Sequence, residues 1–223
     1  PIQPGAHSVG FDWRQEGGIG LFFRTPTVDL GSSSVNAAVT LNMPERRWTL
    51  FLGGPRLGPA VLFWSLLAVF FLASLGLGKI PLTPLRWPQW FLLSVGLTQV
   101  PIPAAVFIAA WLMALGARRD GAPKHEVAFN LVQVALGFWT VAALACLFTS
   151  ITQGLLGMPD MQISGNGSYA ANLMWYQDRS GAVLPRAWAF SVPLWVYRAA
   201  MLAWALWLAS SLLNWLKWGW QCF

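Results

Sequence analysis

The sequence predicts a mainly α-helical membrane protein, in which a small extracytoplasmic β region precedes three full transmembrane helices and one Pro-broken apolar segment. Only 10% of the residues are charged and 56% are hydrophobic, whereas a soluble domain usually carries about 25% charged residues. The apolar stretches that follow residue 60 approach the ~20 residues that cross a bilayer as a helix. Before residue 53, apolar and polar residues alternate as they do in strands.

Residues 1–52 form the predicted extracytoplasmic β region. Val9, Phe11 and Trp13 alternate with polar neighbours, and residues 34–42 repeat this pattern. Turn-forming residues separate the candidate strands. A piece of this size has a thin core, so we expect it to be part of a sandwich completed by a protein partner or by sequence missing before Pro1. The absence of an initiator Met also predicts a natural chain that is longer at its N-terminus.

The remaining boundaries follow from apolar length and from turn residues. Residues 53–59 are rich in Gly and Pro and predict a hinge-like linker. The helical domain is expected over residues 60–223, and its long third helix implies tilt in the bilayer. An ordered extracytoplasmic loop is predicted to precede the last helix. The predicted segments are full helices at 60–78, 127–156 and 187–215, a loop at 157–186, and a short helix within it at Tyr169–Tyr176.

The apolar stretch from Trp90 to Met113 allows two topologies. Its centre holds Thr98, Gln99, Pro101 and Pro103, and each proline lacks a backbone donor and disturbs the preceding turn. The stretch could span as one kinked helix, which would give four alternating spans. Alternatively, it could be re-entrant, turning at Gln99–Pro103 so that it enters and leaves on the same side.

Loop charges favour the re-entrant alternative. Short loops rich in Lys and Arg tend to stay cytoplasmic, and re-entry places the basic loops on one side, whereas four spans divide them. The β region and the loop at 157–186 would then be extracytoplasmic, and the C-terminus cytoplasmic. The basic residues concerned are Lys79, Arg86, Arg118, Arg119, Lys124 and Lys217.

Several classes of function are disfavoured by what the sequence contains. The net charge of +6 does not indicate nucleic-acid binding, because the basic residues lie in short loops beside apolar stretches. No acidic residue lies inside an apolar span, which argues against a proton relay. Catalytic or metal-binding motifs were not found, and Cys146 and Cys222 alone make no metal site. We therefore predict no catalytic residues, no cofactor and no metal.

A polar cavity is the one candidate site that the residues suggest. Arg198 is the charge placed well inside an apolar span, where it either contacts an anion, a lipid headgroup or a cavity, or snorkels outward. Asn130 and Gln133 share a face of the helix predicted at 127–156. Such a polar face is more typical of helix–helix contacts than of a substrate path. The candidate cavity comprises Gln99, Pro101, Pro103, Asn130, Gln133 and Arg198.

Three segments carry a resemblance to a group of known proteins. They are Phe23–Gly31 (FRTPTVDLG), Trp48–Trp64 (WTLFLGGPRLGPAVLFW) and Gly96–Ala104 (GLTQVPIPA). The chain resembles the C-terminal part of large, uncharacterised bacterial inner-membrane proteins with extracytoplasmic β-domains. The resemblance implies a bacterial inner-membrane location and a longer polypeptide, but it implies no activity and no site residues.

Together these observations predict an anchor or scaffold subunit of a bacterial envelope protein or complex, which docks an extracytoplasmic β region and its partners in the lipid bilayer. The alternative is a transport or channel component built around the candidate polar cavity. A lipid-active enzyme using Asp160, Asp178 and Arg186 is the least favoured hypothesis, because solvated loop charges explain these residues more simply.

Overall fold

The structure is a computed structural model that describes residue 5 and residues 7–120 and 126–220. Lys124 of the second basic loop and Cys222 lie outside the described residues. The described chain combines a small β layer with a bundle of apolar helices, as the composition predicts. Its helices are α1 (Phe63–Leu77), α2 (Trp87–Leu97), α3 (Ile102–Asp120), α4 (Glu126–Leu156) and α5 (Leu194–Trp220). Its strands are β1 (Phe22–Arg24), β2 (Ser34–Asn42), β3 (Arg47–Gly53), β4 (Ala60–Val61), β5 (Ile163–Ser164), β6 (Asn172–Ser180) and β7 (Trp188–Pro193).

The β layer is assembled from two distant parts of the sequence. Strand β7 pairs antiparallel with both β1 and β3, β2 pairs with β6, and β4 pairs with β5. Leu41 of β2 and Leu173 and Trp175 of β6 are buried between these pairs, because alternate residues of a strand point to the same face. Residues 163–193 thus supply strand partners that we expected from outside the chain. An additional partner on residues 1–52 remains a prediction.

Three predictions for this region were wrong. The short helix expected at Tyr169–Tyr176 is instead a turn followed by the start of β6, in which buried Leu173 and Trp175 flank exposed Met174. The last helix begins at Leu194 rather than at residue 187, because the preceding apolar residues form β7. The segment 53–59 is packed rather than hinge-like, since a side chain at Gly58 would collide with the Trp175 ring.

Within residues 7–120 and 126–220, three helices are long and apolar enough to cross a membrane, namely those at Ile102–Arg119, Glu126–Leu156 and Leu194–Trp220. The helix predicted at 60–78 is shorter than expected, because α1 has only 15 residues. At about 1.5 Å per residue it is roughly 22 Å long, which is less than the ~30 Å hydrocarbon core of a bilayer. The third long helix is therefore α3, which the sequence placed inside the broken segment.

The broken segment is a helical hairpin and not a single kinked helix. Helix α2 ends at Leu97, and α3 starts at Ile102 and runs back along it. Gly116 near the end of α3 contacts the main-chain carbonyl of Leu82, which precedes α2. One continuous helix from Trp87 would place Gly116 roughly 44 Å from its start at ~1.5 Å per residue. Pro103 sits in the first turn of α3, where no backbone donor is needed, so it begins a helix here rather than kinking one.

The bundle has two distinct ends. The β-proximal end carries the β layer, the α2–α3 turn, the C-terminus of α4 and the N-terminus of α5. The distal end carries the α1–α2 loop and the C-termini of α3 and α5, as the contact between Leu115 and Gly219 shows. The described basic residues of the predicted loops all belong to the distal end, namely Lys79, Arg86, Arg118, Arg119 and Lys217.

Candidate functional site

The residues of the predicted polar cavity lie at opposite ends of the bundle. Met201 of α5 contacts Gly154 near the β-proximal end of α4, and Arg198 lies one turn before Met201. Asn130 lies near the start of α4, roughly 36 Å from Gly154 at ~1.5 Å per residue. Gln133 is one turn further along, at the same distal end. The structure therefore does not bring Arg198 and the Asn130/Gln133 face together.

The surroundings of the individual residues are also unlike those of a cavity. Arg198 and Asn130 are exposed on the outer surface of their helices, and Pro101 and Pro103 are exposed around the α2–α3 turn. An exposed arginine near a helix end matches the snorkelling alternative for Arg198. Gln99 is half-buried and makes a contact between distant parts of the chain.

Gln99 connects the α2–α3 turn to the loop beneath the β layer. Its Oε1 accepts a hydrogen bond from the backbone N–H of Asp160 at 3.1 Å, and its Nε2 donates to Thr98 Oγ1 at 3.1 Å. The Asp160 carboxylate in turn accepts from the N–H of Gln162 at 2.7 Å. These contacts fix the turn against the loop, which is a structural role for the polar residues that interrupt the apolar stretch.

Arg47 connects three parts of the β layer. Its Nε donates to the Ser191 hydroxyl at 2.8 Å, and Nη2 donates to the Ser191 carbonyl at 2.6 Å. The same Nη2 also donates to the carbonyl of Gly20. Hydrogen bonds from a charged donor are the stronger kind, so Arg47 holds β3, β7 and the segment before β1 in one arrangement.

Aromatic contacts join this layer to the first turn of α5. The rings of Trp48 and Tyr197 meet edge to face, with centroids 5.1 Å apart, and Trp48 Nε1 points at the sulfur of Met161. A cleft of about 70 Å³ remains beside Trp48, which is far below the ~300 Å³ at the lower end for drug-sized ligands. We call the set Arg47, Trp48, Gln99, Asp160, Ser191 and Tyr197 the junction, because it joins the β layer to the helices.

The residues considered for a lipid-active enzyme do not converge. Asp160 lies in the junction, whereas Asp178 is exposed on β6 beside Arg56 and Arg179. Arg186 donates from Nε to the carbonyl of Thr25 at 2.9 Å. Each of these groups has its own local surroundings, so the paired-carboxylate arrangement is not formed.

Comparison with protein-family models, curated proteins and solved structures gave no match. The inference of function therefore depends on the geometry of the chain itself. Within the described residues, the junction offers hydrogen bonds and ring contacts that fix one layer against another. Such contacts hold the β layer in place against the helices. Among the described residues of the junction, no nucleophile or base points into a cavity.

Sequence reasoning identified only part of the junction. Gln99 and Asp160 were singled out, but Arg47, Trp48, Ser191 and Tyr197 were not. The available signal was Arg47 at the start of an apolar strand, because a charge in that position needs a nearby acceptor. The acceptor is on Ser191, which is so distant in sequence that a pattern of neighbours could not indicate it.

Proposed function

We propose that this chain is a membrane-embedded scaffold of the bacterial envelope, which anchors a β layer at a fixed position and orientation on the bilayer surface. One observation carries the proposal. Strand β7 ends at Pro193, and α5 begins at the next residue with no linker between them. The N–H of Leu194 donates to the carbonyl of Arg46 at 2.9 Å, so the residue that directly precedes β3 also holds the start of α5.

The hairpin tip adds a second attachment. Gln99 bonds to Asp160 at a different point of the same interface. Two separated attachments resist rotation, whereas one flexible connection would not. This supports a scaffold whose surface layer keeps its orientation, rather than a tethered domain that searches for partners.

The charge distribution supports an orientation with the distal end in the cytoplasm. Both described lysines, Lys79 and Lys217, lie at this end, together with Arg118 and Arg119. Arginines also occur in the β layer, but long loops and domains are translocated largely regardless of their charge. The β layer is then extracytoplasmic, and the resemblance noted above supports the bacterial inner membrane as the location.

An exposed apolar segment supports a protein partner on the β layer. Val9, Phe11 and Trp13 are 74%, 81% and 59% exposed, and Leu21 and Phe22 before and in β1 are exposed as well. Several exposed large apolar side chains in one short segment outside the helices are a feature of interaction sites. The partner we propose is another envelope protein, or further sequence of the same polypeptide, that packs on residues 7–22.

Single-cysteine labelling in intact spheroplasts tests the orientation. In a background with Cys146→Ser and Cys222→Ser, a cysteine at Ser33 should react with a membrane-impermeant maleimide. Cysteines at Ile80 and Ala117 should react only after lysis. Labelling of Ile80 and Ala117 from opposite sides would contradict the hairpin orientation and, with it, the proposed scaffold.

Photo-crosslinking tests the docking surface. A photoreactive phenylalanine analogue at Phe11 should give a defined protein adduct in cells, whereas the same analogue at exposed Asp178 on β6 should not. Equal adducts from both positions, or adducts with lipid alone from Phe11, would exclude residues 7–22 as the partner surface.

The transport alternative lacks the feature on which it depended. It required Arg198 and the Asn130/Gln133 face around one cavity, and these residues lie at opposite ends of the bundle. No described pocket contains both groups. We therefore do not propose a transport path through these residues.

A further inference from the structure

A cleft between α3 and α4 at the distal end combines an apolar floor with a buried positive charge. Its volume is about 440 Å³, and its walls are the small residues Ala114, Ala117 and Ala135 together with Val132, Leu136 and Trp139. Arg118 lines the same cleft. The cleft is open on its outer side, where the proposed orientation places the acyl region of the cytoplasmic leaflet.

Arg118 is buried without full hydrogen bonding. The residue is only 9% exposed, and its Nε has no hydrogen-bond acceptor among the described residues. Its guanidinium carbon lies 4.3 Å from the centre of the Phe129 ring, which is a favourable contact for a cation but supplies no acceptor for Nε. A buried donor without an acceptor is destabilising, and more so when it is charged.

A second orphan donor lies in the same cleft. Trp139 Nε1 is buried and has no acceptor among the described residues. Indole and guanidinium groups donate but never accept, so each of these two orphan donors needs an acceptor. Trp139 lies ten positions after Phe129 on α4, which corresponds to roughly 15 Å along the axis.

We propose that this cleft binds an anionic phospholipid of the cytoplasmic leaflet, and this inference rests on the proposed membrane function. The phosphate accepts from the Arg118 guanidinium at the distal rim, and one acyl chain lies on the alanine floor and extends towards Trp139. A free phosphate could satisfy Arg118, but it could not reach Trp139 or cover the apolar wall. Exposed Arg119 and Lys217 at the same end add attraction for an anionic headgroup.

Native mass spectrometry of the purified full chain in mild detergent tests the proposal. Phosphatidylglycerol should bind at one saturable site, at least about tenfold more tightly than phosphatidylcholine, which corresponds to about 1.4 kcal/mol. Arg118→Gln should abolish this preference. Arg119→Gln removes the same charge from the exposed neighbouring position, and we expect it to change the affinity by less than about threefold, as for a surface charge.

A second variant separates headgroup recognition from folding. Ala135→Phe fills the cleft and leaves Arg118 in place, so it should also lose the saturable site. Circular dichroism of each variant shows whether its helices are retained. Equal losses in Arg118→Gln and Arg119→Gln, or unchanged binding in Ala135→Phe, would overturn the proposal, and so would displacement of the lipid by inorganic phosphate.

These outcomes are distinct from those that test the scaffold. Lipid binding is measured on purified protein and does not depend on which side of the membrane the distal end occupies. Failure of the lipid preference with the expected cysteine labelling refutes the cleft alone. Failure of the labelling refutes the scaffold orientation and reassigns any observed lipid site to the other leaflet.

Discussion

Replacing Gly116 by alanine tests the hairpin that defines the helical bundle. Gly116 packs directly on the main-chain carbonyl of Leu82. A methyl group at this position would collide with the carbonyl oxygen, and a main-chain atom cannot rotate away as a side chain can. Gly137 on α4 is the matched control, because nothing lies within 4 Å of a methyl group built there.

Two opposing effects set the expected magnitude. Alanine is favoured over glycine in a helix interior by about 1 kcal/mol, and this gain applies to both variants. Overpacking costs about 1–3 kcal/mol, and we expect the upper part of that range because the obstacle at Leu82 is backbone. Gly137→Ala should therefore stabilise the protein by about 1 kcal/mol, whereas Gly116→Ala should destabilise it by about 1–2 kcal/mol.

Unfolding in mixed micelles with increasing sodium dodecyl sulfate provides the measurement. Far-ultraviolet circular dichroism follows loss of helix, and tryptophan fluorescence follows separation of the packed helices. The midpoints of the two variants should move in opposite directions from that of the parent protein. If Gly116→Ala is as stable as Gly137→Ala, α3 does not return to Leu82, and the hairpin geometry is wrong.

Three further changes test the junction and the bundle core. Arg47→Leu removes charged hydrogen bonds worth about 1.5–3 kcal/mol and leaves the buried Ser191 hydroxyl unpaired, so limited proteolysis should cut the β layer faster; an unchanged rate would show that Arg47 does not hold the layer. Gln99→Leu removes the acceptor of the Asp160 N–H, and loss of about 1 kcal/mol should speed hydrogen exchange of that amide about fivefold, whereas unchanged exchange would contradict the attachment. Trp204→Phe removes a 2.8 Å hydrogen bond to α2 and part of a buried ring, so unfolding should require about 1–2 kcal/mol less, and no change would indicate that α2 and α5 do not pack through this ring.

The class of fold could be predicted because the hydrophobic effect acts on local composition. Few charges, long apolar stretches and an alternating N-terminal region are visible without knowledge of contacts. The boundary between β7 and α5 was missed because Trp188–Val192 and the following helix are both apolar. Pro193 was the available signal, since the residue before proline favours extended backbone, and it marks the point where the strand ends.

The candidate site was harder to predict because the end of the bundle at which a residue lies depends on the direction in which its helix runs. Asn130, Gln133 and Arg198 were grouped by residue type, and the up-and-down path of the chain then placed them at different ends. Arg118 was recognised only as a charge that orients the protein. Its burial against Phe129 and the alanines of the cleft depends on how α3 meets α4, which no local pattern encodes.

The pairing of β2 with β6 has a consequence for the order of assembly during synthesis. The hydroxyls of Ser34 and Ser180 meet across this pair at a separation of 146 residues. At about 5–20 residues per second, β2 leaves the ribosome roughly 7–30 s before its partner. During that interval α1 to α4 are made, while the edge of β2 that β6 will cover stays unpaired. The surface layer is thus among the last parts of the molecule to form, although its first strands are among the first to be synthesised.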